Sequence, residues 1–221
     1  MINTLKFGRL VVIGDLLLDQ YVLGSVKRIS PEAPVPVLLK THQKIVPGGA
    51  ANVAVNAAAL GCSVALVGVV GADKNATELK HALSVWPSID VQGVVEQQGW
   101  STISKMRVLS GQQQIVRIDE EMIIEFSQET QNRLIKACIS ALETADVLIC
   151  SDYAKGVLSE NILQNVITYA RSKNIPVIVD PKRDNFSCYR GASLITPNRA
   201  EMERATGLSL RTNQEVEQAA R

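Results

Sequence analysis

The strongest constraint on the fold of this chain is an alternation between short apolar runs and longer helical stretches. The apolar runs of strand length lie at 9–15, 63–71, 146–152, 175–181 and 192–198. The helical stretches lie at 49–60, 127–144, 159–172 and 198–206, and the first and last are followed by Gly61 and Gly207. Because this alternation is typical of a parallel sheet covered by helices, it predicts an α/β fold with a mostly parallel central sheet and helices on both faces.

Two segments interrupt the alternation. Residues 20–46 and 91–119 are rich in Val, Ile, Thr and Gln and are broken by Pro or Gly. They predict short antiparallel strands that form a small sheet inserted into the α/β domain. In open α/β sheets, ligands bind beyond the carboxyl ends of the strands. The polar residues that end the predicted strands are therefore the candidates for a site.

The composition excludes several classes of protein. The 221 residues carry 23 Lys and Arg against 22 Asp and Glu, which gives a net charge of +1, and only 4% are aromatic. This balance lacks the basic excess of a nucleic-acid binder, and few aromatic residues disfavour base stacking. With 46% hydrophobic residues, the chain is not disordered and can bury the core of one large domain.

The cysteines and the apolar segments predict a cytoplasmic protein without a membrane partner. Cys62, Cys138, Cys150 and Cys188 form no CxxC motif and no signal peptide is evident, so we expect reduced and mostly buried thiols. The segment 45–72 has no charged residue, but its proline, glycines and asparagines predict loop, helix and strand rather than a membrane span.

Two carboxylates follow the first predicted strand, Asp15 and Asp19. At the carboxyl end of a strand, carboxylates can accept hydrogen bonds from the hydroxyls of a polyol ligand. A turn carboxylate and a helix cap would explain the same spacing.

The second candidate is the sequence Pro47-Gly48-Gly49 before a helix that carries Asn52 in its first turn. Adjacent glycines let a ligand approach the backbone, and a helix N-terminus offers free N–H groups. An ordinary tight turn is the alternative. The chain contains neither GxxxxGK[ST] nor GxGxxG, which excludes a P-loop and weakens a dinucleotide site.

Three later strands also end in polar residues, and together they predict a polar crevice over one edge of the sheet. Lys155 and Lys182 could neutralise phosphate there, although each position could also be a turn or a cap. Asn198 and Glu201, three residues apart on one helix face, could hold a hydrated Mg²⁺ ion. The residues at these strand ends are Asp152, Tyr153, Lys155, Asp180, Lys182, Asn198 and Glu201.

Three arginines lie in the inserted β segments, Arg28, Arg107 and Arg117. The guanidinium group is suited to bidentate phosphate binding, but a solvated surface position is the alternative for each. His42 and His81 have no partner pattern and are expected to face solvent, and no Ser-His-Asp arrangement is evident.

Seven motifs of this sequence resemble those of ribokinase-like carbohydrate kinases. PGG and NxxE occur throughout that family, whereas RISPEAPVPV and DYAKG are more specific to its heptose 7-phosphate kinases. The resemblance extends from about Leu10 to Gly207. The motifs are GDLLLDQY, RISPEAPVPV, PGGAANVAVNAAALG, VGVVGAD, SDYAKGVLS, VDPKR and TPNRAE.

The resemblance implies a three-layer α/β/α fold with a small β-lid that covers the sugar and often forms a homodimer interface. It implies transfer of a phosphoryl group from ATP, with Mg²⁺, to the anomeric hydroxyl of heptose 7-phosphate, a step in the synthesis of lipopolysaccharide precursors. In that family the positions of Asp19, Gly48, Gly49 and Asn52 bind sugar hydroxyls. Asn198 and Glu201 match the motif that organises Mg²⁺ and the ATP phosphates. We further infer that the substrate is bound by Asp15, Arg28, Arg107, Arg117, Asp152, Lys155 and Lys182.

One family signature is missing from the sequence. A GAGD-type motif normally supplies the anion hole and the Asp that accepts the proton of the sugar hydroxyl, but no GxGD occurs in the 221 residues. We therefore expect residues 1–221 to be a partial kinase domain without its C-terminal third, whose catalytic Asp lies beyond Arg221. Such a chain should show no turnover and should expose apolar surface.

Two alternatives remain open from the sequence. The chain could be a sugar-phosphate-binding fragment without catalysis, or part of a kinase of the same family that uses another sugar.

Overall fold

The computed structural model describes residues 8–122 and 124–220, which form two sheets and six α-helices. The central sheet has the order β10-β9-β8-β1-β4-β5, and every pair of neighbours is parallel. Its strands are β1 (Arg9–Gly14), β4 (Ser63–Gly71), β5 (Ile89–Gln97), β8 (Val147–Ser151), β9 (Val177–Asp180) and β10 (Leu194–Ile195). The predicted mostly parallel sheet is thus confirmed.

The second sheet, here called the lid, has the order β3-β2-β6-β7. Its strands are β2 (Leu16–Ile29), β3 (Pro36–Gly49), β6 (Ile103–Ser110) and β7 (Gln113–Glu120). The hairpins β2–β3 and β6–β7 are antiparallel, as predicted, but β2 and β6 pair in parallel at the centre. The prediction of a wholly antiparallel lid was therefore wrong at that pair.

The predicted bounds of the lid also need correction. Residues 91–97 belong to β5, the parallel edge strand of the central sheet, and not to the lid. The reason for the error is that an edge strand with partial cover shows the same alternation as a lid strand. Of the apolar residues in β5, Ile89 and Val95 are buried, whereas Val91 is exposed.

The helices lie on both faces of the central sheet, and their ends follow the sequence signals. They are α1 (Ala50–Ala59), α2 (Lys74–Ser84), α3 (Gln128–Leu142), α4 (Glu160–Ser172), α5 (Arg199–Thr206) and α6 (Asn213–Ala219), with a 3₁₀ turn at Phe186–Tyr189. Ser159 caps α4 by accepting a hydrogen bond from the amide of Ile162, and Gly207 ends α5. No α-helix in the described ranges combines the length and apolar character that a membrane crossing requires.

The central strand β1 is buried on both faces, as expected for a parallel sheet between helical layers. Val11 and Ile13 pack into the core beneath α3 and α4, while Val12 packs with the alanines of α1 on the other side. Cover is thinner at the far edge, where Ile178 is half-buried and Leu194 is 53% exposed.

The cysteines and histidines lie where the sequence predicts. All four cysteines are free, and Cys138, Cys150 and Cys188 are buried. Burial raises the pKa of Cys138 to about 12, so this thiol stays protonated at neutral pH. Both histidines are exposed.

Candidate active site

A polar cavity of about 230 Å³ lies at the carboxyl ends of β8, β9 and β10. We call it the crevice. It is lined by Asp152, Tyr153, Asp180, Pro181, Lys182, Thr196, Asn198 and Glu201. The predicted convergence of polar strand ends at one edge of the sheet is therefore present in the fold.

Asp19 lies at the base of the lid, in contact with the double-glycine motif. A Cβ atom on Gly48 would lie 2.4 Å from the Asp19 Oδ2 atom, so only glycine allows this approach. The Asp19 Oδ1 atom accepts a hydrogen bond of 2.5 Å from Arg107, whose guanidinium group lies 5.4 Å from the ring centroid of Tyr21. The carboxylate keeps 23% of its surface exposed and can still accept hydrogen bonds from a ligand.

The start of α1 follows directly on the double-glycine motif that lies against this carboxylate. Gly49 has φ +58° and caps the helix without a side-chain hydrogen bond. Asn52 is exposed in the first turn and makes no hydrogen bond within the described chain. Asp19, Gly48, Gly49 and Asn52, the predicted sugar-binding set, thus lie around the junction of β3 and α1.

Asp15 and Asp152 occupy different environments from the one that the sequence interpretation gave them. Asp15 is 0% exposed, and its two oxygens accept hydrogen bonds from the amides of Tyr153, Lys155 and Val157. Burial, with a smaller effect of neighbouring Asp152, raises the pKa of Asp15 to about 6. The structure therefore encloses the Asp15 carboxylate within the protein, and its direct contact with the substrate stays a prediction.

Asp152 is held in a buried network rather than left free for a ligand. Its carboxylate is 2% exposed and accepts hydrogen bonds of 2.9 Å from Arg183 and 2.7 Å from Tyr189. A third bond of 2.7 Å comes from the amide of Ala154. All these donors belong to the protein, which explains how a carboxylate can stay buried here.

Asn198 and Glu201 form a capping box at the start of α5. The Asn198 side chain accepts a hydrogen bond from the Glu201 amide, and Glu201 Oε2 accepts one from the Asn198 amide, both at 2.9 Å. The other carboxylate oxygen of Glu201 pairs with Lys182 at 3.0 Å. Burial alone would raise the pKa of Glu201, but these donors outweigh it and the pKa is lowered. The residue is therefore a fixed negative charge at the crevice.

Asp180 is the unpaired carboxylate of the crevice. Its side chain accepts no hydrogen bond from any described residue, and burial together with nearby Glu201 raises its pKa. Within the described residues, no group of three or more His, Cys, Asp and Glu could hold a metal by itself. One or two carboxylates with phosphate oxygens and water are, however, the usual environment of Mg²⁺, and Asp180 and Glu201 fit it.

Lys155 links the crevice side of the sheet to the lid. Its ammonium group pairs with Glu121 at 2.9 Å, and Glu121 also lies 3.4 Å from Lys105 of β6. These two lysines lower the pKa of Glu121. Lys155 is therefore near the site, but it is engaged by a carboxylate.

The remaining arginines of the lid differ in position. Arg117 is directly opposite Arg107 in the β6–β7 ladder and forms two hydrogen bonds to Asp119. Arg28 is exposed near the end of β2, nine residues from Asp19, which at about 3.3 Å per residue is about 30 Å. The structure therefore does not bring Arg28 to its own site, because the long strand carries it to the lid tip.

Several site residues were not selected from the sequence. Asp180 and Tyr153, which line the crevice, were noted at strand ends but given no ligand role, and Arg183, which holds Asp152, and Glu121, which pairs with Lys155, were not noted. The strand-end position of Asp180 was a usable signal, because it is the acid that directly ends β9. No local signal could have shown the partners of Arg183 and Glu121, since both pair across long sequence separations.

Comparison with family models decides which family this site belongs to. The model described as "pfkB family carbohydrate kinase" matches residues 8–221, almost the whole chain. The chain belongs to the pfkB family of carbohydrate kinases. The predicted ribokinase-like fold and kinase class are thus confirmed.

Two curated relatives of this pfkB chain are named "Bifunctional protein HldE". The one from Gluconobacter oxydans is 57% identical over 216 residues, which is 98% of this chain and 45% of the relative. The one from Azorhizobium caulinodans is 50% identical over 220 residues, which is 100% of this chain and 46% of the relative. The chain therefore spans less than half the length of these relatives.

Solved structures show the same pfkB-type fold at low sequence identity. Arabidopsis thaliana ribokinase, complexed with ribose and ATP, matches with a TM-score of 0.71 and 19% identity, covering 97% of this chain and 68% of its own. The tetrameric inhibited form of phosphofructokinase-2 from Escherichia coli matches with a TM-score of 0.72 and 20% identity, covering 97% and 69%.

Proposed function

We propose that this chain is the N-terminal part of a kinase that transfers the γ-phosphate of ATP to the anomeric hydroxyl of heptose 7-phosphate. The product would be the 1,7-bisphosphate, which leads to ADP-heptose and the lipopolysaccharide inner core. Membership of the pfkB family supports the reaction class. The motifs RISPEAPVPV and DYAKG, with the high identity to HldE proteins, support the heptose substrate.

The proposal rests on two groups of polar side chains, one at the base of the lid and one in the crevice. Asp19, against Gly48 at the base of the lid, offers a partly exposed carboxylate for sugar hydroxyls. The crevice offers Asp180, Glu201 and Lys182 beside it. Tyr153 also lines the crevice, and its burial, with smaller effects of Asp180 and Asp19, raises the pKa of its hydroxyl.

In this arrangement the sugar binds to the lid side and ATP to the crevice side. Asp19 accepts hydrogen bonds from sugar hydroxyls, and Asn52 donates to them or accepts from them, while the backbone at Gly48 and Gly49 lets the ring approach closely. Asp180 and Glu201 would hold Mg²⁺, which supplies charge neutralisation for the transferring phosphoryl group when it is bound. Lys182 is positioned to bind a phosphate oxygen next to them.

The cations of the lid suit the phosphate end of the sugar. Arg107 and Arg117 lie directly opposite one another and are paired with Asp19 and Asp119, so a phosphate would be a further anionic partner for these two guanidinium groups. Lys155 and Lys182 complete the cations on the crevice side. Arg28 could serve only the site of a second copy, in a homodimer formed through the lid. We also propose a cytosolic location, where ATP is available.

Calorimetric titration with heptose 7-phosphate tests the substrate. We expect binding that is weakened at least about tenfold when the phosphate is absent and when ribose or fructose 6-phosphate replaces the heptose. Asp19→Asn should abolish this binding, whereas Asp90→Asn, at the amino end of the sheet, should not. Equal binding of all sugars would contradict the proposed substrate, and tighter binding of ribose or fructose 6-phosphate would favour a kinase for another sugar.

A turnover assay separates the kinase from a non-catalytic binding fragment. Because no GxGD occurs in residues 1–221, we expect heptose 7-phosphate to bind without ATP-dependent formation of the bisphosphate. Formation of product above a buffer control would show that other residues supply the catalytic base.

A further inference from the structure

The residue at the centre of the site makes no contact with the cavity itself. Asp15 lies between β1 and β2 and is fully buried. Its side chain accepts hydrogen bonds from the amides of Tyr153 at 2.8 Å and of Lys155 and Val157 at 3.1 Å. Three alternate amides of one segment therefore surround a single carboxylate, which leaves no oxygen turned towards a ligand.

The segment 153–157 has a backbone conformation that needs such an anchor. Ala154 has φ +55°, an unusual value for a residue with a side chain. Gly156 has φ +109°, and a Cβ atom there would lie 2.8 Å from the carbonyl oxygen of Ile124. Strained backbone persists only where the surrounding structure determines it. The amide of Ala154 donates to Asp152, and the three hydrogen bonds to Asp15 hold the residues on either side and the end of the segment.

The backbone of Asp15 fixes the other wall of the site. Its carbonyl oxygen accepts a hydrogen bond of 2.9 Å from the amide of Ala50, the first residue of α1. A Cβ atom on Gly49 would lie 2.3 Å from this same oxygen. One residue therefore sets the position of the double-glycine motif and, through its side chain, that of the segment 153–157.

These two elements carry the groups that face the ligands. The segment 153–157 supplies Tyr153 to the crevice and Lys155 to the ion pair with Glu121 of the lid connection. The start of α1 supplies Asn52 and follows the double-glycine motif, whose Gly48 lies against Asp19. A displacement of one element relative to the other would change the geometry of both the lid base and the crevice. Productive sites tolerate only small displacements.

We propose that Asp15 is a positioning residue that binds no ligand and holds the segment 153–157 in register with the start of α1. The ligand named in this inference, heptose 7-phosphate, rests on the proposed function. The structural part does not, because it concerns hydrogen bonds within the protein. It replaces the sequence interpretation of Asp15 as a direct sugar ligand.

The test combines hydrogen exchange with calorimetry on the 221-residue chain. In Asp15→Asn, the amides of Tyr153, Lys155 and Val157 should exchange about tenfold faster or more, and heptose 7-phosphate should bind about tenfold more weakly. Asp19→Asn is the matched control, a carboxylate-to-amide change four residues away. It should lose binding while the exchange of the segment 153–157 stays as in the unmodified chain.

Gly156→Ala provides an independent route if Asp15→Asn fails to fold. It disturbs the same segment from the side of Ile124 and leaves the Asp15 carboxylate intact. Faster exchange with weaker binding is expected. Faster exchange with unchanged binding would overturn the link between this segment and the ligand.

The outcomes separate the inference from the proposed function. If Asp15→Asn loses binding while the segment stays protected, Asp15 contacts the ligand and the inference is wrong. If neither changes, Asp15 positions nothing. If the unmodified chain binds no heptose 7-phosphate, the proposed substrate fails, and unchanged exchange in Asp15→Asn would then overturn the positioning role as well.

Discussion

The carboxyl ends of β1 and β9 both carry an aspartate, yet the two aspartates have opposite surroundings. Asp15, after β1, accepts three backbone hydrogen bonds and is out of contact with solvent. Asp180, the last residue of β9, is half-buried, and its carboxylate accepts no hydrogen bond from the described chain. The end of β1 is thus saturated by the protein, while the end of β9 is left with capacity for a ligand. The position of an aspartate at a strand end therefore does not show whether it supports the fold or is available to a ligand.

The largest effect should come from Asp152, which shares the saturated character of Asp15. Asp152→Ala removes the acceptor of a partly buried guanidinium group and a buried tyrosine hydroxyl, and we expect it to lower the free energy of unfolding by about 3 kcal/mol. Chemical denaturation measures this. The matched control is Asp184→Ala, because Asp184 also pairs with an arginine, Arg204, but is 75% exposed. Its effect should be below about 0.5 kcal/mol. Equal effects of the two changes would show that the buried network adds no stability.

A slightly smaller effect is expected at the glycine that packs against the Asp15 carbonyl. Gly49→Ala places a methyl group 2.3 Å from that oxygen and 2.4 Å from Leu17 Cδ1, at φ +58°. We expect the free energy of unfolding to fall by about 2 kcal/mol. Gly111→Ala shares a positive φ, +60°, but meets nothing within 4 Å, and should cost only about 1 kcal/mol. The same loss at both positions would mean that backbone strain alone is responsible.

The pH dependence of the free energy of unfolding tests the surroundings of Asp15 more directly. Asp15 titrates in the folded state at about 6, above its ordinary value of 3.8, chiefly because it is buried. The folded chain therefore binds this proton more readily than the unfolded chain, so ionised Asp15 lowers stability as pH rises through 6. Between pH 5 and pH 7 the loss should be about 1 kcal/mol. Asp152 and Tyr153 are the titratable groups facing it.

Comparison with Asp15→Asn isolates this contribution. The variant should lack the component, so the difference in unfolding free energy between the two proteins should change by about 1 kcal/mol across the same window. Carboxylates with lowered pKa, such as Glu201, act in the opposite direction, but their stabilisation is lost only below their ordinary value near 4.5. A pH-independent difference would show that Asp15 does not titrate in this range.

The sequence was sufficient to predict the central sheet and its helices. It was not sufficient to predict which aspartates and glutamates are hydrogen-bonded within the protein and which are left for a ligand. Strands and helix caps depend on residues within a few positions of one another. The structure confirms the predicted strands at 9–15 and 63–71 and the caps at Ser159 and Asn198. Whether a carboxylate is saturated depends on distant groups instead. Asp15 is bound by amides about 140 residues away, and no local pattern records that contact.

The lid shows the same limit for a different reason. The alternation in 91–97 is real, but it reflects an edge strand whose one face is exposed, and pairing partners cannot be read from periodicity alone. Similarly, Arg28 has the right chemistry for phosphate but lies at the end of a 14-residue strand. The chemistry of this side chain can be read from the sequence, but its distance from Asp19 cannot.

The smallest effect on stability is expected at the unsaturated end, and it completes the comparison. Asp180→Asn removes a carboxylate that has no partner within the described chain and that Glu201 repels, so the free energy of unfolding should stay within about 0.5 kcal/mol or rise. In this variant, calorimetry should show that ATP binds about tenfold more weakly in the presence of Mg²⁺. The affinity for ATP without Mg²⁺ should not change. A clear loss of stability would place Asp180 with the scaffold acids, and unchanged Mg²⁺ dependence would remove it from the ion site. Only the combination of unchanged stability and lost Mg²⁺ dependence fits a carboxylate that the fold leaves free for a ligand.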